Sequence, residues 1–109
     1  MIANESAEVL IILNIPPALE DAVVDWLLSR VGGTGFTSVS ASGHSTSHDD
    51  LSVAEQVRGR QQRQQFQIQI QADVVAGFLS DARDTLGGAD IRYWVLPVIQ
   101  TGRLGTDGV

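Results

Sequence analysis

The chain has 109 residues, a formal net charge of −6, 43% hydrophobic and 18% charged residues, no cysteine, and seven basic residues that are all arginine. That composition belongs to one globular domain, residues 1–109, with a modest core. It excludes disulfides, thiolate metal sites, thiol nucleophiles and lysine Schiff-base chemistry, and the acidic surplus argues against nucleic acid as a partner.

The first residues, Met1–Glu8, lack the cationic start of a signal peptide. The longest apolar run, Val9–Leu13, is too short to cross a bilayer. A cytoplasmic protein with no direct membrane insertion is expected, with flexible ends at residues 1–7 and 104–109.

Val9–Ile15 is apolar on both faces and rich in branched residues, which predicts a central strand. Pro16 and Pro17 end it, and proline suits the first turn of a helix, where its missing N–H had no partner. Glu20 and Asp21 complement the positive end of that helix. Leu19, Ala22, Val23, Trp26, Leu27 and Arg30 follow helical spacing until Gly32-Gly33. Phe36–Ser42 alternates small polar and apolar residues and predicts a second strand.

From Gly43 to Arg63 the pattern breaks. Loops beyond roughly 12–15 residues are uncommon in compact domains and are usually functional or disordered. This one carries both histidines, the Asp49-Asp50 pair, and Arg58, Arg60 and Arg63. Ser52-Val-Ala-Glu55 has capping-box spacing, so Ser52–Arg58 can form a short helix within it.

Gln65–Gln71 then alternates strictly, with Phe66, Ile68 and Ile70 facing one way and four glutamines the other, as a strand with one buried face does. Asp73 can N-cap a second helix. Val75, Phe78, Leu79, Ala82 and Leu86 form its stripe and Gly87-Gly88 ends it. Ile91–Leu96 predicts a last strand, closed by Pro97, and Thr101-Gly-Arg103 reads as a turn.

The element order is βα-β, a long loop, then βα-β. With right-handed crossovers this is an α+β, ferredoxin-like βαββαβ sandwich with both helices on one sheet face. The first strand is nevertheless apolar on both faces. Its second face requires cover, from other subunits or from a loop or tail of the chain.

Several segments carry a resemblance. Gly35-Phe-Thr-Ser-Val-Ser-Ala-Ser-Gly43 leading into a long loop resembles the second strand and T-loop start of PII-like signalling proteins. Gly87-Gly-Ala-Asp-Ile-Arg-Tyr-Trp-Val-Leu96 and Gln100-Thr-Gly-Arg103 resemble their B-loop, fourth strand and C-loop. More narrowly, the run Pro16–Leu28, Gly35–Ser38, Gly43-His44, Ala54–Arg60 and Tyr93-Trp94 are similar to one uncharacterised branch of that superfamily, whose genes lie beside heavy-metal efflux systems. The resemblance implies a cytoplasmic homotrimer with sheets facing inward, adenine nucleotides held in clefts between subunits, and a transport or metal-efflux component as partner. This sequence departs from the nucleotide-binding pattern, since the lysines aimed at phosphates are absent and the first strand-to-helix junction is Asn14-Ile-Pro-Pro17. Gly87 and Gly88, with Thr101, Gly102 and Arg103, remain as the candidate ligand cleft.

His44 and His48 are followed by Asp49, a donor set that suits Zn, Cu, Ni or Co. The competing reading is a solvated loop with incidental histidines. Arg58, Arg60 and Arg63 can contact a partner or an anion through bidentate forks, or pair with acids of a neighbouring subunit. No helix stripe or buried strand face carries a catalytic acid or base. The leading expectation is a non-enzymatic regulatory trimer that acts through its long loop. The alternatives are a small dimeric α+β barrel enzyme of the cofactor-poor oxygenase or isomerase kind, and a simple metal buffer.

Overall fold

In a computed structural model, which describes residues 7–31, 35–44, 61–88 and 90–105, the expected sandwich is present. The order is β1 (Glu8–Ile15), α1 (Glu20–Val31), β2 (Thr37–Gly43), β3 (Gln61–Gln71), α2 (Val75–Leu86) and β4 (Arg92–Val98). The four strands form one antiparallel sheet in the order β2-β3-β1-β4. β1 is central, as its apolar run predicts.

Alternation splits β1 cleanly. Ile11, Leu13 and Ile15 are buried beneath the helices with Phe66 and Ile68 of β3, Val23 and Leu27 of α1 and Phe78 of α2. The other face carries Leu10, Ile12 and Asn14 of β1, opposite Gln69, Gln67 and Gln65 on one side and Leu96, Trp94 and Arg92 on the other. No helix covers it among the described residues. Trp94 and Leu96 are 41% and 43% exposed there.

A 3-10 turn, Pro17–Leu19, precedes α1, with the Leu19 amide bonded to the Pro16 carbonyl at 3.0 Å. The two helices meet through tilted Trp26 and Phe78 rings, 5.1 Å apart, and through Arg30, which lies over Phe78 and ion-pairs with Asp81. Ala22 and Arg30, expected on the inner stripe, are exposed instead, because the buried seam of α1 is narrow and runs through Val23 and Leu27. Asp73 does not cap α2. It sits inside a second 3-10 turn, Ala72–Val74, where its charge still meets the positive helix end, and the Ala72 amide is held by the Ala7 carbonyl at 2.9 Å.

The strand limits differ from the sequence reading by a residue at several ends and by more at two. β3 begins at Gln61, so Gly43 and Gln61–Arg63 belong to the sheet and the inter-strand segment is 44–60 rather than 43–63. The first half of β3 pairs with the small residues of β2, and Ser40 donates to Gln64 at 3.2 Å. Backbone ladder and polar side chains hold this part, so no hydrophobic alternation marks it. β4 runs on to Val98 through Pro97, which pairs with Val9. An edge strand tolerates proline where the N–H would face outward.

Candidate functional site at the loop end of the sheet

The register gathers one set of residues at one end. Gly43 pairs with Gln61, Ile15 with Gln64 and Asn14 with Arg92. The two ends of the 44–60 segment, the start of β4 and the end of α2 therefore share this edge of the sandwich.

Arg63 is the unusual group there. It lies on the sheet face away from the helices and is only 5% exposed. Its Nε donates to Asn14 Oδ1 at 3.1 Å, and Nη2 donates to the carbonyls of Asn14 and Asp90, each at 2.8 Å. All three acceptors are neutral, and among the described residues no carboxylate reaches ion-pair distance of it. A buried guanidinium costs desolvation unless its donors are matched. Here the matching ties β1 to the segment just before β4. Arg92 stands on the same face one strand beyond Asn14, with its guanidinium 5.8 Å from the Trp94 ring centre.

On the helix side of the same end, Leu13, Leu79, Leu86, Ile91 and Tyr93 line an apolar cavity of about 250 Å³, with Arg83, Gly87 and Gly88 at its wall. Gly87 has ordinary extended dihedrals, but a Cβ there would overlap the Arg83 carbonyl oxygen. Gly88 has φ +94°, open to glycine with little strain. Close approach in one case and backbone handedness in the other explain the Gly-Gly pair. Gly87→Ala is expected to cost roughly 1–3 kcal/mol, as overpacking does, read as a lowered midpoint in urea unfolding.

The other proposed site residues do not all join this cluster. Thr101 donates to Gln69 Oε1 at 3.3 Å, and Gln69 pairs with Leu10 and also bonds Glu8. Arg92, four residues past Gly88, pairs with Asn14. Four strand residues, roughly 14 Å, separate those two levels. The glycines also lie on the helix side, whereas Thr101 reaches the opposite face. Within one chain, Gly87-Gly88 and the Thr101-Gly102-Arg103 turn do not form one cleft.

His44 is exposed, and the described residues contain no group of three metal-ligating side chains. His48, Asp49, Arg58 and Arg60 lie outside the described residues. Arg63, expected as a surface contact, is buried because β3 starts before it and its guanidinium turns onto Asn14 and Asp90. Arg83 and Arg92 were not singled out from the sequence. The available signals were the i, i+4 spacing of Arg83 to Gly87 and the place of Arg92 in the first turn of chain after the glycines. No described helix is long and apolar enough to cross a membrane.

Solved structures share this architecture. CPII, a nitrogen regulatory PII-like protein from Thiomonas intermedia K12 bound to ADP, AMP and bicarbonate, is similar at 22% identity over 89% of this chain and 93% of that one, with a TM-score of 0.61. A functionally unknown protein from Pediococcus pentosaceus ATCC 25745 is similar at 14% identity over 90% and 98%, also with a TM-score of 0.61. The fold is thus that of the PII-like proteins. A DUF3240 family protein from Shewanella baltica OS155 is similar at 23% identity over 94% of this chain and 99% of that one, with a TM-score of 0.73. Residues 5–105 match the family model described as protein of unknown function (DUF3240), and the chain belongs to that family. No curated protein matches the chain.

Proposed function

We infer that this chain is a non-enzymatic, PII-like regulatory protein that assembles as a homotrimer and binds a small anionic ligand of the adenine-nucleotide class between subunits. The observation that carries this reading is the placing of Arg83 and the Gly87-Gly88 turn on the helix side, and of Arg63 and Arg92 on the opposite sheet face, at the one end from which the 44–60 segment departs. Guanidinium forks and glycine amides recognise phosphate and carboxylate oxygens. The separation of Thr101–Arg103 from Gly87-Gly88 supports a cleft completed by the next subunit, and the uncovered face of Leu10, Ile12, Trp94 and Leu96 supports assembly through the sheet.

Occupancy of the cleft would reach the 44–60 segment through Arg63, three residues from its end, and that segment would engage a partner. A divalent transition metal on His44, His48 and Asp49, and a transport or metal-efflux partner, are the finer parts of the same proposal. The fold likeness to CPII, which binds ADP, AMP and bicarbonate, favours nucleotide as the first ligand to test.

Isothermal calorimetry with AMP, ADP and ATP is expected to show saturable binding that Arg92→Ala weakens by about tenfold or more, since one charge-assisted contact is worth about 1.5–3 kcal/mol. Absence of heat and of thermal stabilisation with all three nucleotides would overturn the ligand class. Ni²⁺ or Zn²⁺ binding that vanishes in His44→Ala/His48→Ala would support the metal part. Binding retained in that variant would remove it.

A further inference from the structure

We propose that Arg63 is a positioning residue for the ligand site: its guanidinium fixes the backbone at Asp90 and so sets the bearing of the Gly87-Gly88 turn and of Arg92, while touching no ligand itself. This rests on the nucleotide reading above and adds to it the group that holds the two faces of the site in one geometry.

β3 and β4 are not neighbours, because β1 stands between them. Arg63 lies one step beyond the pair of Gln64 with Ile15, where Pro16 follows β1 and offers no amide hydrogen. With β1 ended, the side chain passes around the end of that strand. Nη2 donates to the Asn14 and Asp90 carbonyls, each at 2.8 Å, and Nε to Asn14 Oδ1 at 3.1 Å. One guanidinium therefore joins β3, the end of β1 and the approach to β4. Small neighbours leave room for its stem. Ala41 is its partner in β2, and a Cβ on Gly43 would sit 3.5 Å from its Cγ.

The approach to β4 is where such a bond matters. Strand pairing begins at Arg92, opposite Asn14. Gly88, with φ +94°, opens backbone courses that other residues rarely take. Asp90 lies between the two, outside both helix and ladder, so the bond to its carbonyl acts where regular structure does not. The consequence reaches both faces. Before Asp90 stand the glycines, on the helix side with Arg83. After it, Arg92 and Tyr93 point to opposite faces, Arg92 beside Asn14 and Tyr93 into the cavity wall. A shift of one residue on entering β4 would exchange them. A planar fork suits this task because its donors are held in fixed directions, and at 5% exposure little water competes for them.

Calorimetry with ADP, at a temperature where each variant is folded, tests the assignment. Arg63→Met is expected to weaken ADP binding by about tenfold or more and to speed amide hydrogen exchange at Gly88 and Ile91 in the free protein. Val23→Ala removes packing from the core beneath the helices and holds no part of the site. It should lower Tm while leaving the ADP affinity unchanged, so a general loss of stability is told apart from a lost bearing. Arg63→Lys, the milder change, keeps the charge without the fork and should still bind more weakly than the parent. A parent that binds ADP no better than the two Arg63 variants overturns the positioning role and leaves the ligand reading intact. Parental affinity in Arg63→Lys with loss in Arg63→Met would mean that charge alone counts, which also overturns it. A parent that binds no ADP overturns both readings.

Discussion

Ile12→Glu is expected to convert the assembled protein into a folded monomer. Ile12 lies on the uncovered sheet face between Gln67 and Trp94, outside the buried cluster under the helices. A carboxylate there costs the isolated chain less than one beneath the helices would, because Ile12 is half-buried on the uncovered face and not part of the core. Between subunits it would be desolvated without a partner, at several kcal/mol per ion, and a homotrimer suffers three such insertions. That should raise the dissociation constant by roughly a hundredfold or more. Native mass spectrometry would show one chain in place of three, while far-UV circular dichroism stays unchanged. A variant that keeps the parent mass would show that the apolar face is covered by something other than sister chains.

Arg63→Met is expected to have the larger effect on the single chain. Methionine keeps much of the aliphatic stem and removes every donor, so Asn14 Oδ1 and the carbonyls of Asn14 and Asp90 lose their shared cation. Leaving buried acceptors unsatisfied costs about 1–3 kcal/mol for each group. Since Asn14 can turn its amide towards water, a total of roughly 2–4 kcal/mol is expected. For a domain near this size that corresponds to a fall of roughly 10–25 °C in Tm, measurable by calorimetry. Arg63→Lys should fall between the two, because an ammonium keeps the charge but lacks the planar fork. A Tm unchanged in both variants would mean that the guanidinium does not hold β1 to the approach of β4.

Much of the architecture was legible in the residues because hydrophobic alternation reports burial directly. Phe66, Ile68 and Ile70 against four glutamines marked β3, and Val9–Ile15 marked a strand with apolar groups on both faces. The first turns of β3 escaped notice for the same reason. Gln61–Gln65 offers no apolar beat, and its strand character comes from pairing with β2, which only the three-dimensional register reveals. Arg63 then read as loop, although it is among the most buried polar groups described. The Gly87-Gly88 turn was visible as a helix stop, but its place at the same end of the sheet as Arg92 and Arg63, which stand on the other face, depends on Asn14 lying opposite Arg92, a long-range pairing that no local pattern encodes. The grouping of Thr101–Arg103 with those glycines followed family likeness, and the sheet separates them within one chain.

Pro97 has a further consequence for how these molecules can associate. It sits in the outer strand β4, where it offers no amide hydrogen, so a strand arriving at that border would lack a rung. The opposite border, β2 from Thr37 to Gly43, holds no proline and no charge. Sideways growth of the sheet into a ribbon is therefore disfavoured on one side. Blunting one border in this way works against open-ended ribbons, in a chain that has no lysine to place there.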